Sequence, residues 1–307
     1  MTGPLVFIFL LAGIILNLLV IFVVLKKQNR TVKHILVISF ACCLLFEIFF
    51  GFIWEGYGRY IDDSSLELCK MAGFGATFSS LASIMHLVDM ALERYISIIH
   101  PMTAYQYFNN YMLGIYMVIP SWIIGFVWAF FPFLGWGEYM REANHSYRCS
   151  IVGTSNSVNA QSYNYTMLIV FFFLPIIIIT YLCVRIQMQL VKTRKKAAET
   201  FKGATKMIDG RRKYEKQHFV LVCINIIAYF VTWAPYAIST CWYTFFNSAP
   251  DDVIGYSALF AKSSLVTNPI IYVFFYREFR EILKATLFKK NTTPSVEMPT
   301  IEQSTEQ

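Results

Sequence analysis

The stretch FAKSSLVTNPIIYVFFYREFR, Phe260 to Arg280, decides how this chain folds. Up to Phe275 its residues are apolar, aromatic or small, except for Lys262 and Asn268; from Tyr276 charge returns. The apolar run extends back to Val253, which gives the roughly 20 residues that a helix needs to cross the hydrocarbon of a bilayer. An ammonium group at that depth costs about 3 kcal/mol on insertion scales, so an intramembrane lysine is a functional-site candidate by default. Three uses are open to it: an ion pair, a step in a transport path, or covalent chemistry. A desolvated lysine amine condenses with an aldehyde to give a Schiff base. The run Asn268-Pro269-Ile270-Ile271-Tyr272 adds a proline that removes a backbone donor and kinks the helix.

The rest of the chain agrees with lipid as the solvent. Of its 307 residues, 56% are hydrophobic, 17% aromatic and only 15% charged, against about 25% charged in soluble domains. Seven segments are long and apolar enough to span, at roughly residues 4–25, 34–58, 69–98, 112–134, 163–192, 214–243 and 252–274. No internal repeat is visible, which argues against a transporter built from repeated halves. The expected fold is all-α: a seven-helix transmembrane bundle over residues 1–275, a short amphipathic eighth helix over 276–290, and a disordered tail over 291–307. Phe279, Ile282, Leu283, Leu287 and Phe288 share one side of the eighth helix, which suits a helix lying on the inner leaflet.

Basic residues orient the bundle. Lys26, Lys27, Arg30 and Lys33 lie between the first two spans. The stretch from Arg185 to Lys216 is dense in Lys and Arg, and more follow the seventh span. The opposite loops carry only Arg59, Lys70, Arg141 and Arg148. The basic side is cytoplasmic, with the N-terminus outside and the C-terminus inside. The net charge of +7 is this asymmetry and not a nucleic-acid footprint. The first apolar run is too long for a cleaved signal peptide and lacks the small-residue cleavage pattern. Glycosylation sequons on the outer side are Asn144-His145-Ser146 and Asn164-Tyr165-Thr166. Cys42, Cys43, Cys183, Cys223 and Cys241 lie in apolar helices as packed thiols, while Cys69 and Cys149 face the oxidising side.

Three further motifs complete the pattern. Glu93-Arg94-Tyr95 closes the third span, followed by His100-Pro101-Met102; an arginine at the membrane edge needs an anion, and Glu93 and Glu215 are the candidates. Thr232-Trp233-Ala234-Pro235-Tyr236 puts a kink in the sixth span. Pro175 lies in the fifth. Together with Asn17, Trp122 and Gly135-Trp136, these motifs resemble the rhodopsin-like G-protein-coupled receptors over most of the chain. Phe260-Ala261-Lys262-Ser263 ahead of Asn268-Pro269 narrows the resemblance to opsins.

The resemblance implies a light-activated receptor of the plasma membrane, multi-pass and not an enzyme, holding 11-cis-retinal (all-trans after light) on Lys262 as a protonated Schiff base. It implies a Cys69–Cys149 disulfide and a polyene site made by Thr77, Leu81, Met167, Phe171, Phe172, Tyr229, Trp233, Tyr236 and Ala258. The switch residues carried over are Glu93, Arg94, Tyr95, Glu215, Pro235, Asn268, Pro269 and Tyr272. Its partners are a heterotrimeric G protein, with arrestin and a receptor kinase as further ones. Opsins carry a longer glycosylated segment ahead of helix 1, which leaves open whether the natural chain extends beyond Met1.

The departures are informative. Ala72 stands where vertebrate visual opsins have a counterion glutamate, Leu44 where most receptors have an aspartate, and Cys183 where the family has a tyrosine. Glu47, one turn beyond Leu44, is expected to take over part of the polar network of that aspartate, with a merely structural, protonated glutamate as the alternative. Two carboxylates compete as counterion. Glu142 fits when counted from Gly135-Trp136, but counting back from Cys149 lands on Ala143. Glu55, after Trp54, resembles the helix 2 glutamate of certain jellyfish opsins, and could instead pair with Arg59 one turn on. With Tyr276-Arg277-Glu278, this makes cnidarian opsins the closest likeness, and with them a stimulatory G protein and cyclic AMP. A retinal photoisomerase and a diffusible-ligand receptor on the same fold stand as alternatives.

Overall fold

The computed structural model describes residues 3–60, 66–142, 145–151, 157–200, 206–246 and 251–287. Seven helical spans form the bundle: Phe7–Leu25, Val32–Tyr57, Leu66–Ile99, Tyr111–Leu134, Val158–Thr193, Lys216–Trp242 and Val253–Phe275. Their elements are α1 (Gly3–Leu25), α2 (Val32–Phe46) continued by α3 (Ile53–Tyr60), α4 (Leu66–Ile99), a short α5 (Pro101–Tyr107) and α6 (Tyr111–Phe130). After the hairpin β1 (Met140–Glu142) and β2 (His145–Ser150) come α7 (Val158–Leu168) continued by α8 (Leu174–Thr200), then α9 (Lys206–Phe246), α10 (Asp251–Ala261), α11 (Ser264–Phe275) and α12 (Arg277–Leu287).

Two boundaries differ from the sequence reading. The fifth span begins at Val158, because Ser157 caps it by accepting from the Ala160 amide at 3.2 Å, a side-chain cap that starts a helix ahead of its apolar run. The sixth helix begins at Lys206, since charged residues with good helix propensity carry it beyond the bilayer. The amphipathic segment forms α12; Phe279 is buried, and Ile282 and Leu283 pack on the same cluster as Val20 and Val24 of α1. The tail from 288 onward lies outside the described residues.

In hydrocarbon every backbone polar group needs an internal partner, and the interruptions show how this chain meets that demand. Pro269 has no amide hydrogen, which frees the Leu265 carbonyl four residues back. The Asn17 side chain fills the gap, donating to that carbonyl at 3.0 Å and to the Gly13 carbonyl at 2.8 Å. Asn17 therefore ties the first span to the kink of the seventh. Between α10 and α11 the bonding tightens from i→i+4 to i→i+3: the Ser263 amide reaches the Phe260 carbonyl at 3.0 Å and the Leu265 amide the Lys262 carbonyl at 3.2 Å. Lys262 sits on this break.

Two π turns loosen the ladder instead, at Glu47–Phe52 in the second span and Ile169–Phe173 in the fifth. The first is held by close packing against α4. A Cβ on Gly75 would lie 2.2 Å from the Phe50 carbonyl oxygen, so only glycine lets the two backbones come this near. Below this level Phe40, Leu44, Leu87, Ile226 and Leu265 form a dry core between the spans. Beside it the Ser39 hydroxyl joins His86 Nε2 at 2.7 Å and accepts from Trp122 Nε1 at 2.8 Å, linking the second, third and fourth spans.

Candidate functional site

Above that core lies a cavity of about 220 Å³ enclosed by the second, third, fifth, sixth and seventh spans. Its walls are apolar and aromatic. From α4 come Thr77 and Leu81, from α7 and the following π turn Met167, Phe171 and Phe172, from α9 Tyr229, Trp233 and Tyr236, and from α10 Ala258. The structure thus brings together every residue that the opsin resemblance assigned to the polyene. Tyr229 and Trp233 stack with ring centroids 5.7 Å apart, and Tyr236 meets Trp233 edge-on at 6.1 Å. Tyr229 donates to the Ser80 carbonyl at 3.2 Å, which fixes this aromatic floor to α4. Ile151, just after β2, also lines the cavity, and β2 packs against α3 and α4 as a cover on the outer side.

Lys262 projects into this space, 5% exposed. Its Nζ donates to Glu55 Oε2 at 2.9 Å and stands 4.1 Å from the centroid of the Phe52 ring. Both contacts offset desolvation, the first by charge and the second through the ring quadrupole. The Glu55 side chain is 13% exposed against 6% for Lys262, so the carboxylate lies on the outer side of the pair. The alternative partner of Glu55, the Arg59 side chain, lies outside the described residues.

The other counterion candidate, Glu142, ends β1. Its side chain lies outside the described residues. The backbone register of the hairpin shifts between Arg141 and Glu142, at the place where counting from the two ends of the loop disagrees. Asn144 lies outside the described residues. Asn164 does not belong to the outer surface: it is 7% exposed inside α7 and lines the cavity, which removes it as a glycosylation acceptor. Its sequon lies within the fifth span, and its side chain faces the cavity.

Glu47 departs from its expected role. Neither of its carboxyl oxygens has a hydrogen-bond partner, so it does not take up the hydrogen-bonded network expected at the Leu44 level. The Ser80 hydroxyl that faces it donates instead to the Ala76 carbonyl at 2.7 Å. Glu47 is 1% exposed and belongs to the cavity wall together with Phe52 and Thr240. Phe52 was foreseeable, since it lies one turn before Glu55 on the same helix. The inward turn of Glu47 depends on the π turn, for which the sequence carries no signal.

The switch residues collect at the opposite end of the bundle. Arg94 and Glu93 are both buried and bonded to each other, and the Ser97 hydroxyl donates to Glu93 Oε1 at 3.0 Å. Tyr95 meets His100 edge-on at 6.0 Å. The Glu215 side chain lies outside the described residues. The Tyr272 hydroxyl reaches Met90 Sδ at 3.6 Å, while the Asn268 amide is buried without a hydrogen-bond partner. Pro235 lies inside α9, between the aromatic floor and the outer end. Cys183 and Cys223 approach to 3.9 Å across the fifth and sixth spans. Cys69 is disulfide-bonded and Cys42, Cys43, Cys183, Cys223 and Cys241 are free; the Cys149 side chain lies outside the described residues.

A seven-span bundle with an ion-paired lysine in its outer cavity and a buried arginine at its inner end defines a membrane receptor. Residues 16–272 match the family described as 7 transmembrane receptor (rhodopsin family), and the chain belongs to that family. It is 31% identical over 290 residues to the rhodopsin of Lethenteron camtschaticum, covering 92% of this chain and 78% of that one. Against the green-sensitive opsin of Gallus gallus the identity is 29% over 294 residues, with 92% and 78% covered. The crystal structure of squid rhodopsin superimposes with a TM-score of 0.84 over 94% of this chain and 84% of that one, at 24% identity. The protein is a multi-pass membrane receptor homologous to rhodopsins and opsins.

Proposed function

We propose that this receptor is activated by light through retinal bound at Lys262, with Glu55 as the counterion, and that it signals through a stimulatory G protein to raise cyclic AMP. The observation that carries the reading is the 2.9 Å pair between Lys262 and Glu55 at the wall of an aromatic cavity. The donor set fits the cofactor. Lys262 supplies the one primary amine on the wall, Glu55 an anion beside it, and the stacked Tyr229 and Trp233 a flat surface for a polyene. Bound as a protonated imine, 11-cis-retinal supplies visible absorption and a change of shape to all-trans on illumination.

The chain's own residues do the rest. Glu55 keeps the cation at the Lys262 nitrogen paired, since a buried cation without an anion loses its proton. Gly75 allows the π turn that aims Glu55 inward. Trp233 forms the cavity floor two residues before Pro235, so displacement of the ring is passed to α9 at its kink. Outward movement of α9 parts it from α8 and from Arg94, opening the cytoplasmic end to a G protein. Arrestin and a receptor kinase would use the same face. The choice of a stimulatory G protein rests on the likeness of Glu55, Leu44 and Tyr276-Arg277-Glu278 to cnidarian opsins. In this reading Cys69, which is disulfide-bonded, pairs with Cys149 of the second outer loop.

Adding 11-cis-retinal to the purified receptor should produce a visible absorbance band, and light should raise cyclic AMP in cells expressing the pigment. A receptor that binds retinal without a visible band would refute the reading. A light-driven calcium rise with no cyclic AMP change would move the coupling to the Gq class.

A further inference from the structure

Glu47 is the one feature of the cavity that the reading above leaves without a task. A carboxyl group 1% exposed, with no hydrogen-bond partner for either oxygen, is costly to bury. Its place on the cavity wall, where a methionine or leucine would be buried without that cost, points to a role in the cavity. The groups facing it are Ser80 of α4, Tyr229 of α9, Cys43 one turn back on α2, and Lys262. Lys262 is the only cation among them, and it already pairs with Glu55.

The π turn gives the two glutamates a common face. In an unbroken α-helix, residues eight apart sit about 80° apart around the axis. The π turn at Glu47–Phe52 takes up about one extra residue, which brings Glu47 and Glu55 to within about 20° of each other. They then stand two turns apart, one above the other, along the wall that faces the lysine. Lys262 lies on the break between α10 and α11, and its long stem can point along that wall in either direction.

Resting on retinal attachment at Lys262, we propose that Glu47 is a second, inner partner for the lysine nitrogen, and that the two glutamates hold one proton between them. While Glu55 is ionised and paired with the cation, Glu47 carries the proton and is neutral, which is the only inexpensive state for an unpartnered buried carboxyl. When illumination turns the nitrogen inward, Glu47 gives its proton up, Glu55 gains one, and the cation passes from one carboxylate to the other. The net charge of the site is unchanged: one acid and one carboxylate exchange places.

The test uses E47Q alongside the unaltered receptor. E47Q should keep its visible band in the dark, because Glu55 is intact, and its photoproduct should absorb in the ultraviolet, whereas the photoproduct of the unaltered receptor stays visible. A visible photoproduct in E47Q, an ultraviolet one in the unaltered receptor, or loss of the dark visible band in correctly folded E47Q overturns the proposal. A readout without retinal keeps this separate from the attachment itself. The unliganded receptor should show an infrared carbonyl stretch of a protonated carboxylic acid that E47Q removes, and absence of that band also overturns the proposal. Should E47Q not fold, light-minus-dark infrared spectra of the unaltered pigment decide: loss of one acid carbonyl band with gain of another supports the exchange, and no change refutes it. If no pigment forms at all, attachment at Lys262 has failed, while the infrared band still reports on Glu47.

Discussion

Among the described residues, the bundle buries two Lys or Arg side chains, one towards each end, and treats them differently. At the inner end Arg94 is held by Glu93, its neighbour in sequence on the same helix. At the outer end Lys262 is held by Glu55, 207 positions away and on a different span. The inner pair forms as soon as α4 forms, and it sits where the spans are tightly packed. The outer pair exists only once the second and seventh spans are in place, and it borders a cavity. A local pair can keep its own geometry while the helices around it move. A long-range pair across a cavity reports on whatever enters that cavity. The difference suits a receptor that reads its ligand at one end and exposes a docking face at the other.

The largest expected effect comes from breaking the outer pair. Glu55→Gln should move the absorbance of the retinal-bound receptor from the visible to the ultraviolet at neutral pH, because the cation at the Lys262 nitrogen then loses its proton for want of an anion. Halide ions should partly restore the visible band by supplying one. If Glu55→Gln stays visible and Glu142→Gln does not, the counterion is on the hairpin.

Joining the helices near the inner end comes next. Cys183 and Cys223 lie 3.9 Å apart across the fifth and sixth spans, so mild oxidation should bridge them with a small backbone adjustment. The bridged receptor should keep its spectrum and lose its light-driven cyclic AMP response, and a reductant should restore it. An undiminished response from the bridged form would show that α9 need not part from α8.

Weakening the inner pair should do less. Glu93→Gln leaves Arg94 without its nearest carboxylate, which should raise dark signalling by about fivefold and leave the absorbance unchanged. A spectral shift in that variant would mean that the two ends are not as separate as the geometry indicates. The smallest effect is expected from Gly75→Ala. Its methyl would meet the Phe50 carbonyl, which should cost about 1–3 kcal/mol of stability and be seen in thermal denaturation. The shifted π turn should also weaken the Lys262–Glu55 contact and broaden the visible band.

These two ends were unequally legible in the sequence. Lys262 stood out because charge in an apolar span is rare, and the motifs along the chain set the register of the nine residues assigned to the polyene, all of which line the cavity. The inner pair is visible as a tripeptide. Glu55 was harder: its inward direction depends on a π turn between Glu47 and Phe52 that arises from packing against Gly75, a contact between spans and not a property of the second span alone. Counting with α-helical periodicity through that turn puts Glu47 and Glu55 on different faces, so the sequence gives no sign that they share the cavity wall. Asn164 misled for a related reason. Its sequon is a local pattern, while its burial follows from its place on the side of α7 that faces the cavity. The hairpin register near Glu142 was ambiguous from either end because a shift between Arg141 and Glu142 breaks the count.

The central claim is that Lys262 is the point of covalent attachment, and it can be tested without any signalling assay. The receptor is incubated with 11-cis-retinal, reduced with borohydride, digested and mapped by mass spectrometry. The account predicts a single retinyl adduct, on Lys262, and none in a folded Lys262→Ala receptor. An adduct on another lysine, or one that persists in Lys262→Ala, would contradict it.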